Sequence, residues 1–191
     1  MAIEWTSRVN RAFLLRDALD LTGVRLAELV GRPDARGRVE AREASAARRR
    51  GGTSGPVPES VLRLRIDPER VEPPPPGAYL TVVADAFVEV LDWKAAALVS
   101  VGQVDPRSED PETGLFASVA AARTPASQVL AIAATIALAE CGGGEVIDEY
   151  GYLSDARLNA PVGLRERLRV PAPQESVDAG IDAVLARTRL T

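Results

Sequence analysis

Residues 61–152 read in order as strand, helix, strand, strand, helix, strand. That order predicts an α+β domain of the ferredoxin-like βαββαβ kind, with two helices on one face of an antiparallel sheet. Three observations carry the prediction. Leu62, Leu64 and Ile66 alternate with Arg63 and Arg65, the period of a half-buried strand. Leu80, Val83, Ala84, Phe87 and Leu91 share one helical face. Val129, Ile132, Ala133, Ile136 and Ala137 repeat that spacing between a Thr124–Pro125 start and a run of three glycines beginning at Gly142.

The elements follow from these periods. Val9, Phe13, Leu14 and Leu21 predict a first helix ending near Gly23, and Leu26, Leu29 and Val30 a shorter second one ending at Gly31. Seven arginines then fall between Arg32 and Arg50, interleaved with Asp34, Glu40 and Glu43, and residues 51–60 read as a flexible connection. A boundary is therefore drawn there, giving an N-terminal helical extension over 1–56 and an α+β core over 57–191. Residues 61–66 predict a strand. Four consecutive prolines at 73–76 predict a stiff extended connector, and residues 79–92 a helix. Residues 94–104 and 114–123 predict two strands joined by a long hairpin loop rich in Pro, Asp and Gly. Thr124 is a natural N-cap, Pro125 suits the first turn, and Gly142 permits a left-handed exit into a strand at 145–150. Ser176 to Arg187 predicts a short amphipathic helix that packs back on the core, with Val177, Ile181, Val184 and Leu185 on one face.

Composition narrows the chemistry. With 46% apolar and 26% charged residues, the 191-residue chain has the balance of a soluble globular protein, and no wholly apolar run reaches the roughly 18 residues of a membrane span. The first ten residues lack the basic and apolar regions of a secretory signal, and a single cysteine precludes an intrachain disulfide, so cytoplasmic residence is expected. Histidine is absent. That removes most hydrolytic triads, most zinc sites and the usual general base near neutral pH. Cys141 falls at the carboxyl end of its predicted helix, where the helix dipole disfavours a thiolate, and reads as structural. Neither a metal-ligand cluster nor a phosphate loop is present in the sequence. Glycines 142–144 follow a helix and precede a strand, the reverse of the phosphate-binding order. The reading is of a protein that is not an enzyme and carries no cofactor and no metal.

The strongest candidate for function is the acidic run Glu140, Glu145, Asp148, Glu149 and Asp155, with no Lys or Arg between 140 and 155. Such a rim attracts a basic partner and repels polyanions, although the same charges also suit a solvated edge strand. Tyr150 and Tyr152, flanking Gly151, are natural contact residues beside it. The predicted partner-binding residues are Asp148, Glu149, Tyr150, Tyr152 and Asp155. Strand alternation places Asp148 and Glu149 on opposite faces, which argues against a catalytic carboxylate pair. The Arg-rich segment behind two helices suggests a transcriptional or ligand-sensing alternative. A pI near 5.1, interleaved acids and the absence of a recognition helix beyond Gly31 weigh against nucleic acid.

FVEVLDWKAAALVSVGQV (87–104) together with VLAIAATIALAECGGGEVIDEYGYL (129–153) resembles the immunity proteins of bacterial polymorphic-toxin systems. The shared features are an aspartate-tryptophan exit at Asp92–Trp93, a strand over 97–104, and a helix leading through Gly143 to Asp148. The resemblance spans about half the chain and leaves residues 1–56 unmatched. It implies a catalytically inert cytoplasmic protein that binds and blocks one toxin.

Overall fold

The computed structural model describes residues 3–43, 56, 59–70, 80–104 and 114–190. Its centre is a mixed α+β core whose main sheet has seven strands, all paired antiparallel. These strands are β1 (Ile3–Arg8), β3 (Val39–Glu43), β5 (Leu80–Val90), β6 (Ala95–Val104), β7 (Gly114–Ala121), β8 (Val146–Ile147) and β9 (Leu158–Asn159), in the spatial order β3-β5-β6-β7-β1-β8-β9. Two short strands, β2 (Phe13–Leu14) and β4 (Arg65–Ile66), form a separate pair. The helices are α1 (Leu15–Leu29), the single turn α2 (Glu59–Leu62), α3 (Pro125–Gly142), α4 (Pro161–Leu168) and α5 (Val177–Leu185).

One face of the sheet is built for close approach by a helix. Ala84, Ala86, Val88 and Val90 of β5, Ala95, Ala97, Val99 and Val101 of β6, and Ala117, Val119 and Ala121 of β7 are all buried. Small side chains let α3 lie close to the strands, and α3 is itself rich in alanine. Its Ile132 and Ile136 are fully buried, worth about 1.5–3 kcal/mol each. Ser7 points inward from β1 and donates its hydroxyl to the Thr135 carbonyl at 2.9 Å, so a polar group sits in the core at little cost. At the other end of α3, Thr124 accepts from the Ser127 N–H, and Ser127 Oγ accepts from the Ala96 N–H at 3.0 Å, fastening the helix start to β6. By length and hydropathy α3 matches a membrane-crossing helix, but here it is wrapped by the sheet and by α1, α4 and α5.

Several expected elements stand where the sequence put them: β6, β7, α3 and α5, the last capped by Ser176. The left-handed residue that ends α3 is Gly143, at φ 63°, one position beyond the expected Gly142. Other expectations are corrected.

Residues 79–92, read as a helix, contain the strand β5. The 3.6-residue set is present, but the buried set is the alternating one, Ala84, Ala86, Val88 and Val90. A bulge between Val82 and Ala84 shifts the phase, so alternation does not run through the whole segment. Its four valines suit a pleated surface better than a helix. With this strand the ferredoxin-like order is lost.

Of residues 61–66 only Arg65–Ile66 is strand. The preceding residues turn as α2, because Glu59 holds Arg63 at i,i+4 (2.9 Å) and also Arg16 (2.5 Å). The two N-terminal helices are one, α1, which runs straight through Gly23. A Cβ at that position would lie 2.5 Å from the Arg36 carbonyl oxygen, so Gly23 is there for a close contact and does not stop the helix.

Residues 1–56 are consequently no appended extension. They supply β1, paired with both β7 and β8 inside the main sheet, as well as β3 and α1. The expected flexible connection, the proline connector, the hairpin loop and the Arg-rich residues 44–50 lie wholly or largely outside the described residues. In the described half of the Arg-rich segment, Arg32 pairs with Asp34 and Arg42 with Glu89.

Candidate functional site

The candidate surface forms where the chain leaves α3. Gly143 reverses the backbone, and Arg11 covers the exposed helix end by donating to the Glu140 and Cys141 carbonyls at 2.7 and 2.9 Å. Gly144 then lies against β1 so tightly that a Cβ would sit 2.0 Å from the Arg8 carbonyl oxygen. This contact leads into β8, which pairs Thr6 with Ile147 and Ser7 with Val146. On its other side β8 pairs with β9, the sheet edge, Ile147 opposite Leu158. The connection between them, residues 148–157, is the loop on which the predicted contact residues fall.

Asp148 organises that loop from within. Its side chain is buried, and its carboxylate accepts from the backbone N–H groups of Tyr152 (3.0 Å), Leu153 (2.6 Å) and Ser154 (3.1 Å). Its own N–H donates to the Arg157 carbonyl at 2.7 Å, tying the two ends of the loop together. Leu153, 1% exposed, plugs the loop into the core. Gly151, at φ 66°, makes the reversal that separates the two tyrosines. Their rings lie 5.6 Å apart, tilted by 33°. The C-terminal end closes the arrangement: the Arg189 N–H donates to the Tyr152 carbonyl, and the Arg189 guanidinium pairs with Asp155.

The structure therefore divides the expected acidic rim. Glu149, Tyr150, Tyr152 and Asp155 share the loop, whereas the Asp148 side chain is buried inside it, on its backbone N–H groups. The expected strand over 145–150 is two residues long because Asp148 turns the chain. Glu140 is also withdrawn. It sits between Arg25 (2.7 Å) and Arg165 (3.2 Å) where α1, α3 and α4 meet. Burial lowers the tendency of Arg25 to hold its proton, and its bonds to Glu28 and Glu140 more than offset this. Glu149 faces Arg157 at 3.7 Å and Asp155 faces Arg189, so the rim carries both signs of charge.

Sequence reasoning missed the apolar half of this surface. Among the described residues six large apolar side chains are exposed, and three of them, Tyr150 (69%), Leu158 (40%) and Val162 (49%), fall within the loop, β9 and the first turn of α4. In the sequence Leu158 and Val162 look like any core residues. The exposure of Leu158 follows from β9 being the outermost strand. Cys141 is half-buried, and burial, then the Asp17 and Glu140 charges, pushes its thiol up from the ordinary value. Among the described residues no group of three or more acidic or cysteine side chains is placed to hold a metal ion.

Fold and surface together describe an α+β module with a preorganised aromatic loop at one sheet edge. No protein-family model, curated protein or solved structure matches the chain.

Proposed function

We propose that the chain is a non-catalytic protein-binding module, immunity-like in action, that holds a toxin partner against the Tyr150 loop. The observation that carries this reading is the exposure of Tyr150, Leu158 and Val162 within one stretch formed by the loop, β9 and the start of α4, a stretch that also holds the Glu149–Arg157 pair and the Asp155 partner of Arg189. An aromatic anchor with apolar neighbours and a charged border is the usual anatomy of a protein interface. Locking the loop through Asp148 lowers the entropy lost on binding. Glu149 and Asp155 are placed to exchange their internal arginines for basic groups of a partner, which would act on association rate more than on final affinity. Cytoplasmic residence is part of the same proposal.

The test starts from the protein encoded immediately upstream, since immunity genes commonly follow their toxin genes. Expressed alone it should arrest growth, and co-expression of this chain should relieve the arrest. Tyr150→Ala should weaken the purified complex by about 30-fold or more, the scale of an interface hot spot. Glu149→Lys combined with Asp155→Lys should slow association at low salt. A complex indifferent to both variants, or a captured partner that is DNA, overturns the reading.

A further inference from the structure

A second feature uses different residues. The carboxyl half of α1 and its exit form the floor of a groove of about 380 Å³, with Val24, Ala27 and Glu28 at helical spacing along the helix and Gly31 just beyond its end. One wall is Pro33 and Arg36, from the 3-10 turn Pro33–Arg38, and the other is Arg169 and Ala172, from the segment after α4. Both walls are fastened to α1. Gly23 lets the Arg36 backbone press against the helix, and Ala35 beside it is fully buried. Across the groove the Val170 N–H donates to the Leu29 carbonyl and the Gln174 N–H to the Gly31 carbonyl. Gly31, at φ 65°, has no room for a side chain, because a Cβ would lie 2.9 Å from the Pro171 carbonyl oxygen. The groove is thus a fixed feature of the fold.

Its charge is uncompensated. Arg25, Arg32 and Arg165 nearby are each paired with a carboxylate. The Arg36 and Arg169 side chains have no hydrogen-bond or ion-pair partner among the described residues. Glu28, the one acid in the lining, is held by Arg25 at 2.6 Å. Two arginines, one from each flanking segment, in a lining otherwise of small and apolar side chains apart from Glu28 call for an anion with a slim apolar body. The partial negative charge at the carboxyl end of α1 disfavours a dianion such as phosphate and leaves a monoanion as the better occupant.

We infer that this groove binds a small monocarboxylic acid, its carboxylate taken by Arg36 and Arg169 and its chain laid along Ala27, Gly31, Pro33 and Ala172. The site is independent of the Tyr150 loop and does not rest on the protein-binding reading.

The experiment is a titration of the full chain with hexanoate, followed by amide and arginine Nε–H resonances, with hexanol and inorganic phosphate as comparison probes. Hexanoate should give saturable shifts at Ala27, Gly31, Arg36 and Arg169, and neither comparison probe should. Arg36→Gln and Arg169→Gln should each weaken hexanoate about tenfold, the loss of one charge-assisted contact, with an unchanged thermal melt. Absence of saturable shifts, equal binding of hexanol or phosphate, or full affinity in folded Arg36→Gln, Arg169→Gln double variants overturns the inference.

Discussion

Asp148 shows how a side chain that reads as surface charge becomes internal structure. Three backbone N–H groups converge on its carboxylate, and each hydrogen bond to a charged acceptor contributes more than a neutral one. Asp148→Ala strands those donors beneath the loop and should cost about 3 kcal/mol, read as a lower urea midpoint. Backbone resonance changes should be confined to residues 148–158. A variant as stable as the parent would show that the loop is held by Leu153 and Arg189 alone. At Cys141 the raised thiol has a definite pH consequence. The unfolded chain ionises this thiol before the folded one does, so its contribution to stability is complete below the unfolded value. It is lost as pH climbs past the ordinary 9.0 toward the higher folded value. Cys141→Ala should flatten that alkaline decline. Iodoacetamide should alkylate native Cys141 at least about tenfold more slowly than free cysteine at pH 8.

Among elements, the junction of α1, α3 and α4 depends on one carboxylate. Glu140 is 13% exposed and serves both Arg25 and Arg165, so Glu140→Gln leaves Arg165 without its counter-charge and Arg25 with Glu28 alone. The expected cost is about 3 kcal/mol, measured by chemical denaturation. Replacing Arg165 by Gln as well should cost less than the sum of the single changes, because the two positions share one interaction. Gly23 separates propensity from packing. In an isolated helix Gly→Ala gains about 1 kcal/mol, but here the new methyl meets the Arg36 carbonyl at 2.5 Å. Gly23→Ala should therefore destabilise by about 2 kcal/mol. A stabilised variant would mean that the 3-10 turn moves aside freely, and the Arg36 wall of the carboxylate groove would then be mobile too.

For the whole molecule the decisive strand is β1. It lies between β7 and β8 and places Trp5 in the core at 1% exposure, so the sheet cannot close without the first residues of the chain. A fragment of residues 57–191 lacks β1, β3 and α1 and leaves the pairing edge of β7 and the flank of α3 uncovered. Its circular dichroism in a urea titration should show no cooperative transition, whereas the full chain should unfold in one step. A cooperative transition in the fragment would restore residue 56 as a domain limit.

What could be read from the sequence alone was governed by local physics. Thr124, Pro125 and the terminal glycines bracket α3 whatever surrounds them, since capping and left-handed exits are settled within a few residues. Ser176 does the same for α5, and β6 and β7 were legible from their lengths and flanking turns. The candidate loop was half legible: Glu149, Tyr150, Tyr152 and Asp155 do lie on one loop, but Asp148 and Glu140 could not be told apart from them. A carboxylate has the same letter whether it faces water, three N–H groups or two arginines. Only tertiary structure decided those cases, together with the strand at 80–90, the unbroken helix through Gly23 and the exposure of Leu158 and Val162. Residues 80–90 satisfied two periods at once, and the choice fell to pairing with β3 and β6, distant in the chain or across a turn. Gly23 has its reason in Arg36, and β1 has its place from β7, more than a hundred residues away. Contacts between residues so far apart leave no period in the sequence, and in this chain they set the topology.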